Sequence, residues 1–338
     1  MLRLGLSRLI ETLGSPLQPG RAADSGGVHL IGVSQLLRQE RSVVGFLRRE
    51  RVQEALQAYL FLLPTLVGLA LFTAGAVIAS FVLSFTNYNV FNPPHWAGLY
   101  NYRTIINAPL TKQVIGNTLY YSAVMVPAST VLALLVALAM NQPVPFRTLL
   151  RSMFFMPVIS STVAVALIWS WLYNPEFGLL NVALRAVGIK GLEWLQNTKT
   201  AMPSIMIMSL WKGLGYNMVI FLAGLQAVPE QLYEAAEIDG AGRWARLRHV
   251  TLPMISPTVF LVLILSTIAS FQVFEQTYIL TNGGPGYATL TIALYIYQTA
   301  FVYFNMGYAS ALAYILFAGV LIVTLVQFRL QNRWVFYG

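Results

Sequence analysis

Six long apolar runs, separated by short polar stretches, organise the chain from residue 59 onward. They cover Tyr59–Phe85, Val114–Met140, Met153–Tyr173, Met202–Leu225, Pro257–Leu280 and Gly307–Arg329. Each is long enough to cross roughly 30 Å of hydrocarbon at about 1.5 Å of rise per residue. A spanning segment must satisfy its own backbone groups, and a helix does so. The pattern therefore predicts an all-α, polytopic membrane protein with six transmembrane helices. Pro64, Pro127 and Pro157 fall inside runs and are expected to kink helices rather than end them.

Upstream of the first run the pattern changes. Residues 1–28 show no period and read as a flexible cytoplasmic tail. They lack the continuous apolar core of a cleaved leader. Residues 29–57 interleave Leu36, Leu37, Val43, Val44, Phe46, Leu47 and Val52 with Arg38, Arg41, Arg48, Arg49 and Arg51. This predicts a basic amphipathic helix on the cytoplasmic face, an anchor in the simpler reading and a regulatory or lipid-sensing element in the other. Residues 58–335 form the transmembrane domain. Outside the spans, Trp96, Tyr100 and Tyr102 suit an aromatic belt. Leu180, Val182, Leu184 and Val187 predict a small interfacial helix in the 174–201 loop.

Composition agrees with the pattern. The chain is 57% hydrophobic and 10% charged, where an average soluble domain carries about 25% charged residues. Cysteine is absent, which removes disulfides, thiolate catalysis and cysteine-ligated metals. His29, His95 and His249 are scattered, so no metal site is expected. The net charge of +9 has a topological reading. Six spans put both termini on one side; that side carries fifteen Lys/Arg and the other carries five. The positive-inside rule then puts both termini, and the loop at 226–256, in the cytoplasm. No nucleic acid partner is needed to explain the charge.

Several chemistries are missing. No GxxxxGK[ST] occurs, and Gly283-Gly284-Pro285-Gly286 lacks the Lys and hydroxyl that grip phosphates and magnesium. No HExxH, GxSxG or paired carboxylates appear. The chain reads as a non-catalytic subunit with no catalytic residue, no metal and no cofactor of its own.

The loop between the fourth and fifth runs is the informative one. Pro229 starts a helix, with Glu230 placed well at its positive end. Gly240 ends it, since glycine tolerates a left-handed cap. Asp239 is expected to cap a second helix, from about Ala241 to His249. Trp244, Leu247 and Val250 recur at i, i+3, i+6 as its apolar face. Pro253 and Pro257 return the chain to the membrane. Glu234-Ala235-Ala236, three residues, Gly240, nine residues, Val250, one residue, Leu252-Pro253 resembles the EAA motif of ATP-binding-cassette importer permeases, with Val250 in place of Ile. The resemblance implies the type I importer permease fold. It implies that Glu234, Ala235, Ala236, Asp239, Gly240, Arg243, Leu252 and Pro253 form a coupling element in a cleft of a separate ATPase, with Glu234 paired to a basic residue there. ATP and magnesium would be bound by that partner.

The resemblance covers about residues 55–335. Phe221-Leu222-Ala223-Gly224-Leu225-Gln226, Leu280-Thr281-Asn282-Gly283-Gly284-Pro285 and Gly307-Tyr308-Ala309-Ser310-Ala311 look like carbohydrate-importer permeases similar to the larger membrane subunit of the maltose transporter. This implies a second homologous permease subunit, two copies of the ATPase, an external solute-binding protein and a carbohydrate substrate, in a bacterial or archaeal inner or plasma membrane. By the same resemblance Lys212, Gly213, Tyr216, Ser266, Ser270, Val273 and Glu275 fall on the substrate path. Tyr216 offers a stacking face and a hydroxyl, and Ser266 and Ser270 lie one turn apart. Ser270, Val273 and Glu275 cannot share one narrow stripe of an ideal helix, so a local unwinding or a wide cavity is required.

Lys212 and Glu275 are costly inside spans and must face a partner or an aqueous cavity. They form a structural pair, snorkel toward the interface, or mark a charged solute. An ion-coupled secondary transporter working through these two residues is an alternative to the importer reading. So is an importer permease for a non-sugar solute such as glycerol phosphate.

Overall fold

The computed structural model describes residues 53–143 and 145–336. The tail expected at 1–28 and all of the amphipathic stretch expected at 29–57 except residues 53–57 lie outside the described residues; those five open the helix Gln53–Ser84. The chain falls into two units, divided between Gly75 and Ala76. The described part of the first is helical, turns π-helical at Leu69–Gly75, and holds no buried side chain.

The second unit is almost wholly helical. It opens with α1 (Ala76–Ser84) and a short hairpin in which β1 (Thr86–Asn87) pairs antiparallel with β2 (His95–Trp96). Then come α2 (Tyr100–Asn107), α3 (Pro109–Asn141), α4 (Arg147–Ile159), α5 (Thr162–Leu172), α6 (Leu179–Ala186) and α7 (Ala201–Gln226). The chain continues through α8 (Glu230–Ile238), α9 (Arg243–Met254), α10 (Ser256–Phe271), α11 (Glu275–Thr281), α12 (Ile292–Val302) and α13 (Met306–Gln331).

Among the described residues four helices are long and apolar enough to cross a membrane: Gln53–Ser84, α3, α7 and α13. Two bent pairs, α4 with α5 at 98° and α9 with α10 at 66°, bring the number to six if each pair is one span. The third run is therefore not the singly kinked helix its hydropathy suggests. Pro157 stays inside α4 and the chain turns at Ser160-Ser161, both with extended ψ. The Ser160 hydroxyl donates to the Met156 carbonyl at 3.0 Å, competing with the helix ladder where it ends. The fifth run also departs from a single helix: α10 stops at Phe271 and α11 begins at Glu275. The expected helix in the 174–201 loop is α6, and the buried Asn181 amide ties that loop together through Pro175, Leu192 and Trp194.

The core is built around α7. One apolar cluster joins Tyr121, Met125, Val165, Ile205, Met208, Val273 and Leu280; a second joins Ala133, Ala137, Met218, Phe221, Leu225 and Val262. Lipid is as apolar as these side chains, so close packing has to hold the helices together. Two glycines supply it. A Cβ on Gly215 would lie 2.1 Å from the Phe154 carbonyl oxygen of α4, and one on Gly224 would lie 2.4 Å from Thr258 Oγ1 of α10.

Candidate functional site

A cavity of about 580 Å³ opens among α3, α4, α7, α10 and α11. All seven residues expected on the substrate path line it: Lys212, Gly213 and Tyr216 from α7, Ser266 and Ser270 from α10, and Val273 and Glu275 from the segment that follows. Tyr216 is 49% exposed, and the space beyond Gly213 is open. Val273 is also part of the apolar core. Sequence reasoning missed the wall supplied by α3, where Tyr121, Met125 and Ser129 recur every fourth residue. That spacing was the available signal, but inside a run apolar on all sides it does not stand out. Asn217, Gln272 and Gln276 were missed as well.

Polar groups in the wall are partly engaged with one another. Asn217 Nδ2 donates to Ser266 Oγ at 3.1 Å, and Ser129 Oγ approaches the same oxygen at 3.5 Å. Ser270 Oγ donates to the Thr267 carbonyl. Lys212 and Glu275 do not pair: among the described residues the one ion pair joins Arg246 to Glu237. The structural Lys–Glu pair is therefore not formed, and both charges face the cavity.

The interruption at Gln272–Phe274 lets Ser270, Val273 and Glu275 all reach the cavity. A helix break strands carbonyls that water cannot reach, and these need donors. Thr291 Oγ1 supplies one, donating to the Val273 carbonyl at 2.8 Å. Thr291 is held by the turn that precedes it. Thr281 and Thr289 hydroxyls meet at 2.6 Å, Thr289 Oγ1 donates to the Gly284 carbonyl, and Asn117 Nδ2 donates to the carbonyls of Tyr287 and Leu290. The turn contains a cis Gly284–Pro285 peptide. Thr291→Val keeps the shape but leaves a buried carbonyl unpaired, at a cost of roughly 1–3 kcal/mol. The expected result is a lower thermal midpoint for the purified protein, restored by Thr291→Ser.

The loop at 226–256 forms a knuckle. α8 ends in a Schellman arrangement: Ala241 N–H donates to the Ala236 carbonyl and Gly240 N–H to that of Glu237, with Gly240 at φ +77°. Asp239 occupies the C-cap of α8 and does not cap the next helix. That helix begins two residues later than expected, at Arg243 behind Gly242, because the left-handed Gly240 first turns the chain away. It also runs past His249 to Met254, with a π-helical stretch at Leu247–Thr251. Trp244, Leu247 and Val250 do not form one buried apolar face. Leu247 and Val250 are half-buried, while Trp244 is 71% exposed. Tyr233 Oη meets Thr251 Oγ1 at 3.1 Å, and with the Arg246–Glu237 pair this fixes α8 on α9.

Glu234, Ala235, Asp239, Gly240 and Arg243 are exposed on this knuckle, with Ala236 half-buried. Ile238 beside them is 87% exposed. Leu252 and Pro253 are half-buried at its foot, where Leu252 packs on the inner core.

Likenesses to known proteins bear on this arrangement. Residues 129–335 match the family model described as binding-protein-dependent transport system inner membrane component. The chain is 36% identical over 290 residues to the probable ABC transporter permease protein YesP of Bacillus subtilis, covering 84% of this chain and 93% of that one. It is 35% identical over 283 residues to the trehalose/maltose transport system permease protein MalF of Thermococcus litoralis, covering 82% and 95%. A chain in the crystal structure of a bacterial alginate ABC transporter, in complex with an alginate pentasaccharide-bound periplasmic protein, superposes with a TM-score of 0.75 at 23% identity, covering 84% and 96%. This last likeness concerns the fold.

Proposed function

The chain belongs to the family of binding-protein-dependent transport system inner membrane components, and from that premise we propose that it is the membrane-spanning permease of an ATP-driven saccharide importer. The observation that carries the reading is the match to a trehalose/maltose permease along 95% of that relative's length. The cavity suits such a cargo. Tyr216 presents a ring face, and Ser266, Asn217, Gln272 and Gln276 present neutral hydrogen-bonding groups.

In this reading the exposed knuckle around Glu234-Ala235-Ala236 is the contact for a separate ATPase. That ATPase binds ATP and magnesium, and this chain performs no chemistry. The complex contains a second, homologous permease, two ATPase copies and an external solute-binding protein. Both termini lie in the cytoplasm, supported by the fifteen-to-five excess of Lys/Arg on their side.

Affinity purification of the tagged chain from its own membrane tests this. The expected result is co-purification of a second permease and an ATPase, and ATP-dependent saccharide uptake once the complex and its binding protein are reconstituted. A lone chain that takes up solute in response to an ion gradient would overturn it.

A further inference from the structure

Lys212 and Glu275 face the same cavity, but their surroundings are unequal. Glu275 is exposed and is the first residue of α11, where the free N–H groups of the first turn favour a negative charge. Lys212 is half-buried and sits midway along α7, remote from either helix end. Among the described residues it has no carboxylate within 4.0 Å. Of the hydroxyl and amide groups in the wall, Ser129, Asn217 and Ser266 are turned toward one another. Neither charge has an ion-pair partner among the described residues, and only Glu275 lies at a helix end.

We infer that the cavity selects a saccharide carrying a single negative charge, a uronate being the plainest case, and that Lys212 holds its acidic group. This rests on the importer reading above. A charge-assisted bond to the acid is stronger than any bond Lys212 makes to a neutral hydroxyl. Tyr216 follows Lys212 by four residues, so the two share one face of α7 about one turn apart. A pyranose stacked on the Tyr216 ring places a carboxylate at its edge within reach of the ammonium group. Glu275, across the cavity, accepts hydrogen bonds from ring hydroxyls. The same carboxylate repels a second negative charge, which argues against a phosphate dianion and for a monoanion.

The test uses the complete transporter in proteoliposomes with its binding protein. The probes are a trisaccharide with one uronate unit at its end, the methyl ester of that acid, and maltotriose. The ester has nearly the same shape as the acid and no charge. The expected result is ATP-dependent uptake of the acid in preference to both neutral probes. Lys212→Met should raise the KM for the acid by at least about tenfold, leave binding of the acid to the external protein unchanged, and be rescued by Lys212→Arg. Uptake of neutral probes alone, or full uptake of the acid by Lys212→Met, overturns this inference and leaves the importer standing. Uptake of no saccharide, acidic or neutral, overturns both.

Discussion

Glu234→Lys stops ATP-driven uptake while the membrane fold survives. Glu234 is exposed on α8 and has no hydrogen-bond or ion-pair partner among the described residues. Its reversal therefore removes nothing that holds the knuckle together. Under the proposed docking role the effect falls on the ATPase contact, where an attraction becomes a repulsion. Breaking one side of a desolvated, hydrogen-bonded charge pair costs about 2–5 kcal/mol, and each 1.4 kcal/mol is about tenfold. Uptake should fall by about 100-fold or more, with the thermal midpoint of the isolated subunit unchanged. Glu237→Lys is the internal contrast. Glu237 holds Arg246 within the knuckle, so its reversal loosens α8 from α9 and lowers the midpoint first. Wild-type uptake by Glu234→Lys would refute the docking role.

Gly213→Trp should block the passage as thoroughly by a different route. Nothing lies within 4 Å of the position a Gly213 Cβ would take, and the residue lines the cavity between Lys212 and Tyr216. The indole has room to exist, so the subunit should fold. It then occupies the space a sugar ring needs, a steric exclusion that no side-chain shift removes. The expected loss of uptake is again about 100-fold, or roughly 2.7 kcal/mol in the barrier. ATPase association should be intact, as measured by co-purification. Gly215→Trp, two residues along, should instead prevent assembly of the fold, because its Cβ would meet the Phe154 carbonyl.

These contrasts mark what could be read from sequence. Hydropathy located the apolar helices, four single and two bent pairs among the described residues, because each run is a sum over some twenty side chains, which local detail barely alters. The two breaks were less visible. Proline is the obvious breaker, yet Pro157 sits inside a helix and the turn falls on Ser160-Ser161. The break after Phe271 depends on a donor from Thr291, eighteen residues beyond the carbonyl it satisfies. No local window contains that bond. The end of α8 was legible because Gly240 meets a local backbone need, but the start of α9 was misplaced by two residues for want of the second glycine's role. The cavity residues on α7 and α10 were reached through resemblance. Those on α3 were not, since their fourfold spacing is hidden in a helix that is apolar all round.

The two glycine contacts on α7 also constrain how the molecule moves. Gly215 seats α7 on the backbone of α4, and Gly224 seats it on α10, so these three helices behave as one braced frame. A push entering at the three-residue joint between Gln226 and Glu230 cannot bend α7 alone. It swings the frame. Gly213 lies eleven residues from Gly224, about 16 Å along the helix, so a tilt of about 10° about the Gly224 contact would carry the cavity wall roughly 3 Å. The frame ends where its backbone is already jointed, at Ser160-Ser161 and at Gln272–Phe274. The second joint carries Glu275, so a swing of the frame alters the cavity at that wall.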